Sequence, residues 1–272
     1  MTGLGTDRHT WGMMGNDTTE AGLPAAQVEA FHQNGFLHLP HVFTPAEVAV
    51  WHEECERLLA SELIHDDNVR TRFRVLPDGG RVLEKYDPVV DVSPVFDAVA
   101  CDERILGPIR QLFDDGALLF KDKLIFKPAG AGGYSAHQDF TWWQPFPHEK
   151  LLSVMVAVDG ADAGNGALEL MPGRHHRHLV PVGEMRALTE AEIESLQGEW
   201  QQVETSPGDI LIFHCLTPHR SGQNTSSRSR RQFYPSYSAA SYGDLYELHY
   251  EHYRWYVERN LSAEEKARLY FE

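Results

Sequence analysis

The alternation of apolar and polar positions changes character near residue 117. Upstream, apolar residues recur at helical spacing. From Pro24 to Asn34-Gly35, Val28 and Phe31 share one face, and Asn-Gly is a helix stop. Phe36–Leu39 then reads as a short strand. Thr44-Pro45-Ala46-Glu47 combines a capping hydroxyl, a proline suited to the first helical position and a glutamate that completes a capping box. The helix it opens carries the apolar stripe Val48, Trp51, Cys55, Leu58 and Leu59, with Glu53, Glu54, Glu56 and Glu62 expected on a solvated face. A further helical region, Ser93 to Phe113, contains Gly107-Pro108, where a break or kink is expected. Residues 1–22 have no periodicity and are expected to form a flexible tail.

Downstream, short apolar runs alternate with Gly, Pro, Asn and Asp. Leu118–Lys127, Leu151–Val158, Ala167–Met171, Gln202–Glu204, Ile210–Phe213 and Gln232–Ser238 read as strands, with one helical insertion opening at Thr189-Glu190-Ala191-Glu192. Helices followed by six or more strands imply a mainly β fold with flanking helices, a β-sandwich or jelly roll. Residues 23–272 are expected to form one domain: helical support and lid over 23–116, the jelly-roll core over 117–241 and a C-terminal helical segment over 242–272. That last segment, with Tyr246, Tyr250, Tyr253, Trp255 and Tyr256, would cover an edge or pair with another subunit, leaving a monomer or a homodimer.

Composition narrows the function classes. With 24 Lys+Arg against 40 Asp+Glu the net charge is −16, which argues against nucleic acid or an anionic membrane as partner. No apolar stretch is long enough to span a bilayer, and the start lacks the basic and apolar regions of a secretory signal. Three scattered cysteines, Cys55, Cys101 and Cys215, offer neither a disulfide framework nor a Cys-x-x-Cys zinc site, so a reducing, cytoplasmic setting is expected. A transition metal would have to use imidazole and carboxylate ligands, and 15 histidines are present.

His137-Gln138-Asp139 follows the glycine-rich stretch Ala129–Gly133. On an extended strand, residues two apart point the same way, so His137 and Asp139 can aim an imidazole and a carboxylate at one point. A second histidine from another strand would complete the two-His-one-carboxylate face of non-haem Fe(II) oxygenases. Downstream, Pro207–Phe213 reads as a turn into a buried strand that leads to His219, and Arg230 follows on the next strand. Such an arginine could offer a two-pronged fork to a carboxylate bound beside a metal. That pairing is what a 2-oxoglutarate site needs. His214 is a rival ligand, and Arg228 and Arg231 compete for the fork; Arg230 has the inward strand parity.

These residues resemble the phytanoyl-CoA dioxygenase family of Fe(II)/2-oxoglutarate-dependent oxygenases. Five elements carry the resemblance: Phe31-x-x-x-Gly35-Phe36 with Phe43-Thr44-x-x-Glu47, His137-Gln138-Asp139, Gly164-Asn165-Gly166-Ala167-Leu168 with Pro172-Gly173-Arg174-His175, Gly208-Asp209, and His219-x-Ser221-Gly222-x-Asn224 with Arg230. The resemblance implies a double-stranded β-helix, a cupin-like jelly roll. It implies Fe(II) on His137, Asp139 and His219, and 2-oxoglutarate held by Arg230 with Ser221 assisting and Lys121 as a further contact. The activity implied is O₂-dependent hydroxylation of an unactivated C–H bond of a small polar metabolite, with release of succinate and CO₂. Asp139 stands where halogenating relatives carry Gly or Ala, which favours hydroxylation.

The substrate is less constrained, because the family acts on molecules from acyl-CoA thioesters to amino acids, phosphonates and antibiotic intermediates. Trp142, Trp143 and Phe146 follow the metal motif and could line the substrate pocket or pack the core. Lys121, Lys123 and Lys127 share one face at period two, which is costly inside unless anions pair with them; a solvated edge is the alternative. Tyr234 shares the face of Arg230, and Arg72 and Tyr86 fall in the lid region. His175, His176 and His178 are expected to be structural, and Cys215 a core filler. A cupin-like metalloenzyme without 2-oxoglutarate, or a non-catalytic jelly-roll binding module, are the competing readings.

Overall fold

A computed structural model describes residues 22–61, 70–75, 79–260 and 262. The expected tail (Gly22 excepted), Glu62 and the chain beyond Asn260 (Ser262 excepted) lie outside the described residues. The elements run α1 (Ala25–Asn34), β1 (Phe36–Leu39), α2 (Pro45–Leu59), β2 (Thr71–Val75), β3 (Arg81–Tyr86), α3 (Pro94–Ala100), α4 (Glu103–Phe113), β4 (Ala117–Lys127), β5 (Tyr134–His137), β6 (Leu151–Ala157), β7 (Leu168–Leu170), α5 (Glu190–Ser195), β8 (Gln201–Val203), β9 (Ile210–His214), β10 (His219–Ser221), β11 (Arg230–Ala239) and α6 (Tyr246–Asn260).

The strands form two sheets. The larger has the order β1-β9-β6-β11-β4-β3-β2, and the smaller β5-β10-β7-β8. The pairs within both are antiparallel, as a jelly roll requires. The large sheet is buried on both faces, and period-two alternation sorts its side chains. Val154, Val156, Ile210, Ile212, Phe233 and Tyr237 join one core with Trp51, Leu58, Phe96 and Ile109 from the helices. Met155, Ala157, Leu211, Phe213 and Tyr234 face Leu168, Leu170 and Val203 of the small sheet. Each such aliphatic side chain removed from water contributes roughly 1.5–3 kcal/mol. A sheet covered on both faces therefore needs the near-continuous apolar strands that the sequence supplies.

Local signals act as read. The Thr44 hydroxyl accepts from the Glu47 amide while the Glu47 carboxylate accepts from the Thr44 amide. Thr189 and Glu192 repeat that box at α5. Gly35 ends α1 at φ 81°. A Cβ there would strike the His175 ring, so the turn and the histidine beneath it require each other.

Three local expectations need correction. The helical region after Ser93 breaks at Cys101-Asp102, where Asp102 caps α4, and Pro108 lies inside that helix. A new cap stops α3, whereas Pro108 forfeits one hydrogen bond that α4 survives by burying Ile105, Ile109, Leu112 and Phe113. Glu54 is not on a solvated face: it is buried, accepting from Ser93 Oγ and from Arg57. Residues 71–86 contribute two strands that extend the large sheet where lid and support were expected. The C-terminal helix α6 packs on β4, with the Tyr250 hydroxyl donating to the Asp122 carbonyl at 2.8 Å. Among the described residues, no helix is long and apolar enough to cross a membrane.

Candidate functional site

The small sheet brings the candidate ligands together through one register pair. His137 ends β5, His219 opens β10, and the two stand opposite each other. Their ring centroids are 4.2 Å apart. Asp139 begins a short 3-10 helix (Asp139–Trp142) and so lies just past the strand. Gln138 keeps extended backbone angles, φ −112° and ψ 131°, so the two-residue parity survives and Asp139 still faces the histidines. Its Oδ1 lies 3.9 Å from Nε2 of each. One ligand atom from each of the three residues falls within 4.8 Å of the others.

The ring orientations are set by carbonyls. His137 Nδ1 lies 2.7 Å from the Ser135 carbonyl and His219 Nδ1 3.0 Å from the Thr217 carbonyl. Both Nδ1 atoms must then carry the proton, which leaves both Nε2 lone pairs free. Ser153 donates to Asp139 Oδ2 at 2.7 Å and turns Oδ1 toward the rings. Burial, with His219 adding to it, pushes His137 down to about 3, and burial lowers His219 as well. Burial opposes ionisation of Asp139, but Lys123 and the two histidines outweigh it and hold the carboxyl down to about 2. Two neutral imidazoles and one carboxylate form a deprotonated donor set, the state in which such ligands take a cation. Nitrogen and oxygen donors on one face suit a divalent first-row metal such as Fe(II).

A second cluster lies between the sheets. Arg230 is 1% exposed. Its Nη1 donates to the Gly166 carbonyl, while its Nε is buried without a partner. No carboxylate pairs with it among the described residues, and burial pulls its pKa below the ordinary value. Lys127, opposite Arg230 in register, donates to Ser221 Oγ at 3.1 Å and to the Gly222 carbonyl. Gly166 sits at φ 74°, and a Cβ there would collide with Gly222 and with the Lys127 ammonium. Arg230, Ser221 and Lys127 thus belong to a buried cationic cluster, and its unpartnered guanidinium nitrogen calls for an anion. The rival arginines are committed elsewhere: Arg231 to Asp159 and Glu56, and Arg228 to Asp162 on the surface.

The remaining candidates separate. Lys121, expected as a cosubstrate contact, is instead paired with buried Asp87 at 3.2 Å. Asp87 also takes Lys85 at 2.7 Å and the Tyr250 hydroxyl at 3.0 Å. Lys121 and Lys127 are buried, so the solvated-edge reading fails for them. Lys123 points at Tyr234, its Nζ 5.3 Å from the ring centroid. Burial pulls Lys123 down to about 8, opposed by the Asp139 charge. The Tyr234 hydroxyl donates to Gln232 Oε1 at 2.7 Å. Trp142 is half-buried with its ring 5.2 Å from that of His137, edge to face. Trp143 and Phe146 are buried around Phe120, Leu151 and Cys215.

Residues singled out elsewhere take structural places. Tyr86 is fully buried with its hydroxyl on the Leu58 carbonyl, and Arg72 pairs with Glu84. His214 accepts from the Leu216 amide at 3.1 Å and stands outside the ligand cluster. The reading of the sequence missed Ser153, Asp87 and His249. Ser153 was visible as the one polar residue in Leu151–Ala157. Asp87 and His249 gave no local signal, because their partners lie on other elements.

Comparisons with known proteins agree with this geometry. A family model described as Phytanoyl-CoA dioxygenase (PhyH) matches residues 31–232. The methylphosphonate hydroxylase of Gimesia maris is 27% identical, over 91% of this chain and 93% of its own. A 2-aminoethylphosphonate dioxygenase from an uncultured bacterium is 31% identical, over 80% of this chain and 82% of its own. Among solved structures, EctD from S. alaskensis with bound Fe superposes with a TM-score of 0.73 at 25% identity, covering 84% of this chain and 80% of that one.

Proposed function

Because the chain belongs to the phytanoyl-CoA dioxygenase family, we propose that it is an Fe(II)/2-oxoglutarate-dependent dioxygenase that hydroxylates a C–H bond of a small polar metabolite. The observation that carries this reading is the pairing of two features: a deprotonated His137, Asp139, His219 face, and a buried Arg230 whose Nε has no partner. A cupin-like enzyme without a dicarboxylate cosubstrate has no use for that second feature. The relatives' names support a small substrate, phosphonates among the candidates.

His137, Asp139 and His219 would hold Fe(II), with Ser153 orienting the carboxylate. Arg230 would bind the distal carboxylate of 2-oxoglutarate, and Ser221 and Lys127 would line the same pocket. When bound, Fe(II) and 2-oxoglutarate supply the oxidising chemistry with O₂: substrate C–H, 2-oxoglutarate and O₂ become alcohol, succinate and CO₂. The protein's own part is placement and exclusion of water. Asp139 stays ionised and both imidazoles neutral, so no proton must leave a ligand before the metal binds. Trp142 walls the site at His137, and Lys123 and Tyr234 border it on the β4–β11 face. Among the described residues Cys55, Cys101 and Cys215 take part in no disulfide, which fits a cytoplasmic setting. The C-terminal helix α6 covers β4 within the chain, which favours a monomer.

The test is succinate formation by the purified protein across a metabolite panel. Succinate should require Fe(II), 2-oxoglutarate and O₂ together and should vanish in His137→Ala. Full activity in that variant would overturn the reading.

A further inference from the structure

The inner face of β4 carries more positive charge than its surroundings match. Lys121 and Lys123 lie two residues apart and point to the same side, opposite Ser236 and Tyr234 of β11. Asp87 is the carboxylate that meets this group, and it is shared: Lys85 approaches to 2.7 Å and Lys121 to 3.2 Å. Lys123 has no carboxylate within ion-pair distance among the described residues. The carboxylate that acts on it most strongly is Asp139, whose oxygens are turned to the two histidines and Ser153. Three ammonium groups therefore face two carboxylates, Asp87 and Asp139, and with Asp139 given to the metal ligand set two positive charges are left beside it.

A second observation comes from α6. His249 is 3% exposed, and neither ring nitrogen has a hydrogen-bond partner. Its ring lies 6.4 Å from that of Trp143, and Lys121 Nζ lies 6.0 Å from the same indole. A buried imidazole with both nitrogens open, near the buried Lys121 ammonium, is costly unless a ligand completes it.

We infer that Lys123 and Lys121, with His249 beyond them, form the substrate's head-group site and select a tetrahedral dianion of the –PO₃²⁻ type. Two excess charges match a dianion. Lysines are compact point donors that suit a multi-oxygen head group, whereas the planar carboxylate fork is provided separately by Arg230. Asp87 is a positioning residue: it holds Lys121 and Lys85 in place and keeps their mutual repulsion tolerable. A phosphonate and a phosphate ester offer the same head group, and both fit. This inference rests on the dioxygenase reading for the identity of the neighbouring site, but the binding it describes is measurable without turnover.

The experiment is an anaerobic titration of the protein loaded with Fe(II) and 2-oxoglutarate, read by tryptophan fluorescence. Methylphosphonate and methyl phosphate are the dianionic probes, and acetate is the monoanionic control. The wild type should bind at least one of the dianions about tenfold or more tighter than acetate. Lys123→Met should weaken that binding about 10–100-fold, the range for losing one charge-assisted contact, while Lys123→Arg restores part of it. Lys123→Gln serves as a second variant should the methionine protein fold poorly. Response to methylphosphonate alone identifies C–P compounds as the source, and response to methyl phosphate alone identifies phosphate esters; either supports the head-group site. Acetate binding as tightly as the dianions, or a Kd unmoved in both Lys123→Met and Lys123→Gln, would overturn it. If the dioxygenase reading itself is wrong, dianion binding persists while no compound elicits succinate. If only the head-group site is wrong, succinate forms with other substrates and the dianions do not bind.

Discussion

Replacing Arg230 by methionine should move stability and cosubstrate affinity in different directions. The side chain is 1% exposed, makes one bond to the Gly166 carbonyl and leaves Nε unpartnered. Methionine has similar reach without the charge. Removing the bond costs about 1 kcal/mol. Removing an unpaired buried cation returns a desolvation penalty of several kcal/mol. Without 2-oxoglutarate, then, the melting temperature of Arg230→Met should equal or exceed that of the wild type. With 2-oxoglutarate the order reverses. A fork of two charge-assisted hydrogen bonds at about 1.5–3 kcal/mol each is worth about 3–6 kcal/mol, or roughly 10²–10⁴ in affinity. Ligand present at a hundred times its Kd stabilises the wild type by about 2.7 kcal/mol, and the variant should gain almost nothing. Differential scanning fluorimetry with and without 2-oxoglutarate, together with KM for 2-oxoglutarate, reads both effects. A variant that melts well below the wild type yet keeps its KM would refute the reasoning and make Arg230 a structural residue.

Other outcomes follow from the same contacts. Ser153→Ala frees Asp139 Oδ2 from its 2.7 Å bond and should weaken Fe(II) binding about 10–100-fold by competition titration. Trp143→Ala empties a site that is 4% exposed and should cost about 3–5 kcal/mol in denaturant unfolding, whereas Trp142→Ala should spare stability and raise the KM of whichever substrate the panel identifies. Burial pushes His137 to about 3, and His175 and His214 to about 4, from an ordinary 6.5. Between pH 6.5 and about 4 the unfolded chain therefore takes up protons that the folded protein refuses. The metal-free protein should lose stability as pH falls through that window, and His214→Asn should flatten the loss; a pH-independent melting temperature would contradict those burials.

What the sequence made legible was what its local rules encode. The Thr44 and Thr189 capping boxes, the apolar runs that became β4, β6, β9 and β11, and the parity of His137 with Asp139 all follow from spacing along a few residues. The order of the motifs made the His219 partnership visible across the chain, and strand parity separated Arg230 from Arg231. The rest depended on partners that no local pattern announces. Lys121 was assigned to the cosubstrate because Asp87, 34 positions upstream, could not be seen to face it. Glu54 looked solvent-facing because Ser93 meets it only after α2 and α3 pack. The helix break was placed at Gly107-Pro108 because proline is a conspicuous local signal, whereas the aspartate cap that ended one helix and began the next is an ordinary one. Strands β2 and β3 were missed because Thr71–Val75 and Arg81–Tyr86 are short and rich in charge, and the pairing of β2 with β3 and of β3 with β4 is what makes them strands.

The central claim is that His137, Asp139 and His219 hold an iron that couples 2-oxoglutarate to O₂. Turnover of the purified protein under ¹⁸O₂ tests it most directly. The account predicts that each succinate formed gains one ¹⁸O atom, that one CO₂ is released per succinate, and that His219→Ala abolishes both. Succinate that forms without ¹⁸O, or that forms equally in His219→Ala, would contradict it.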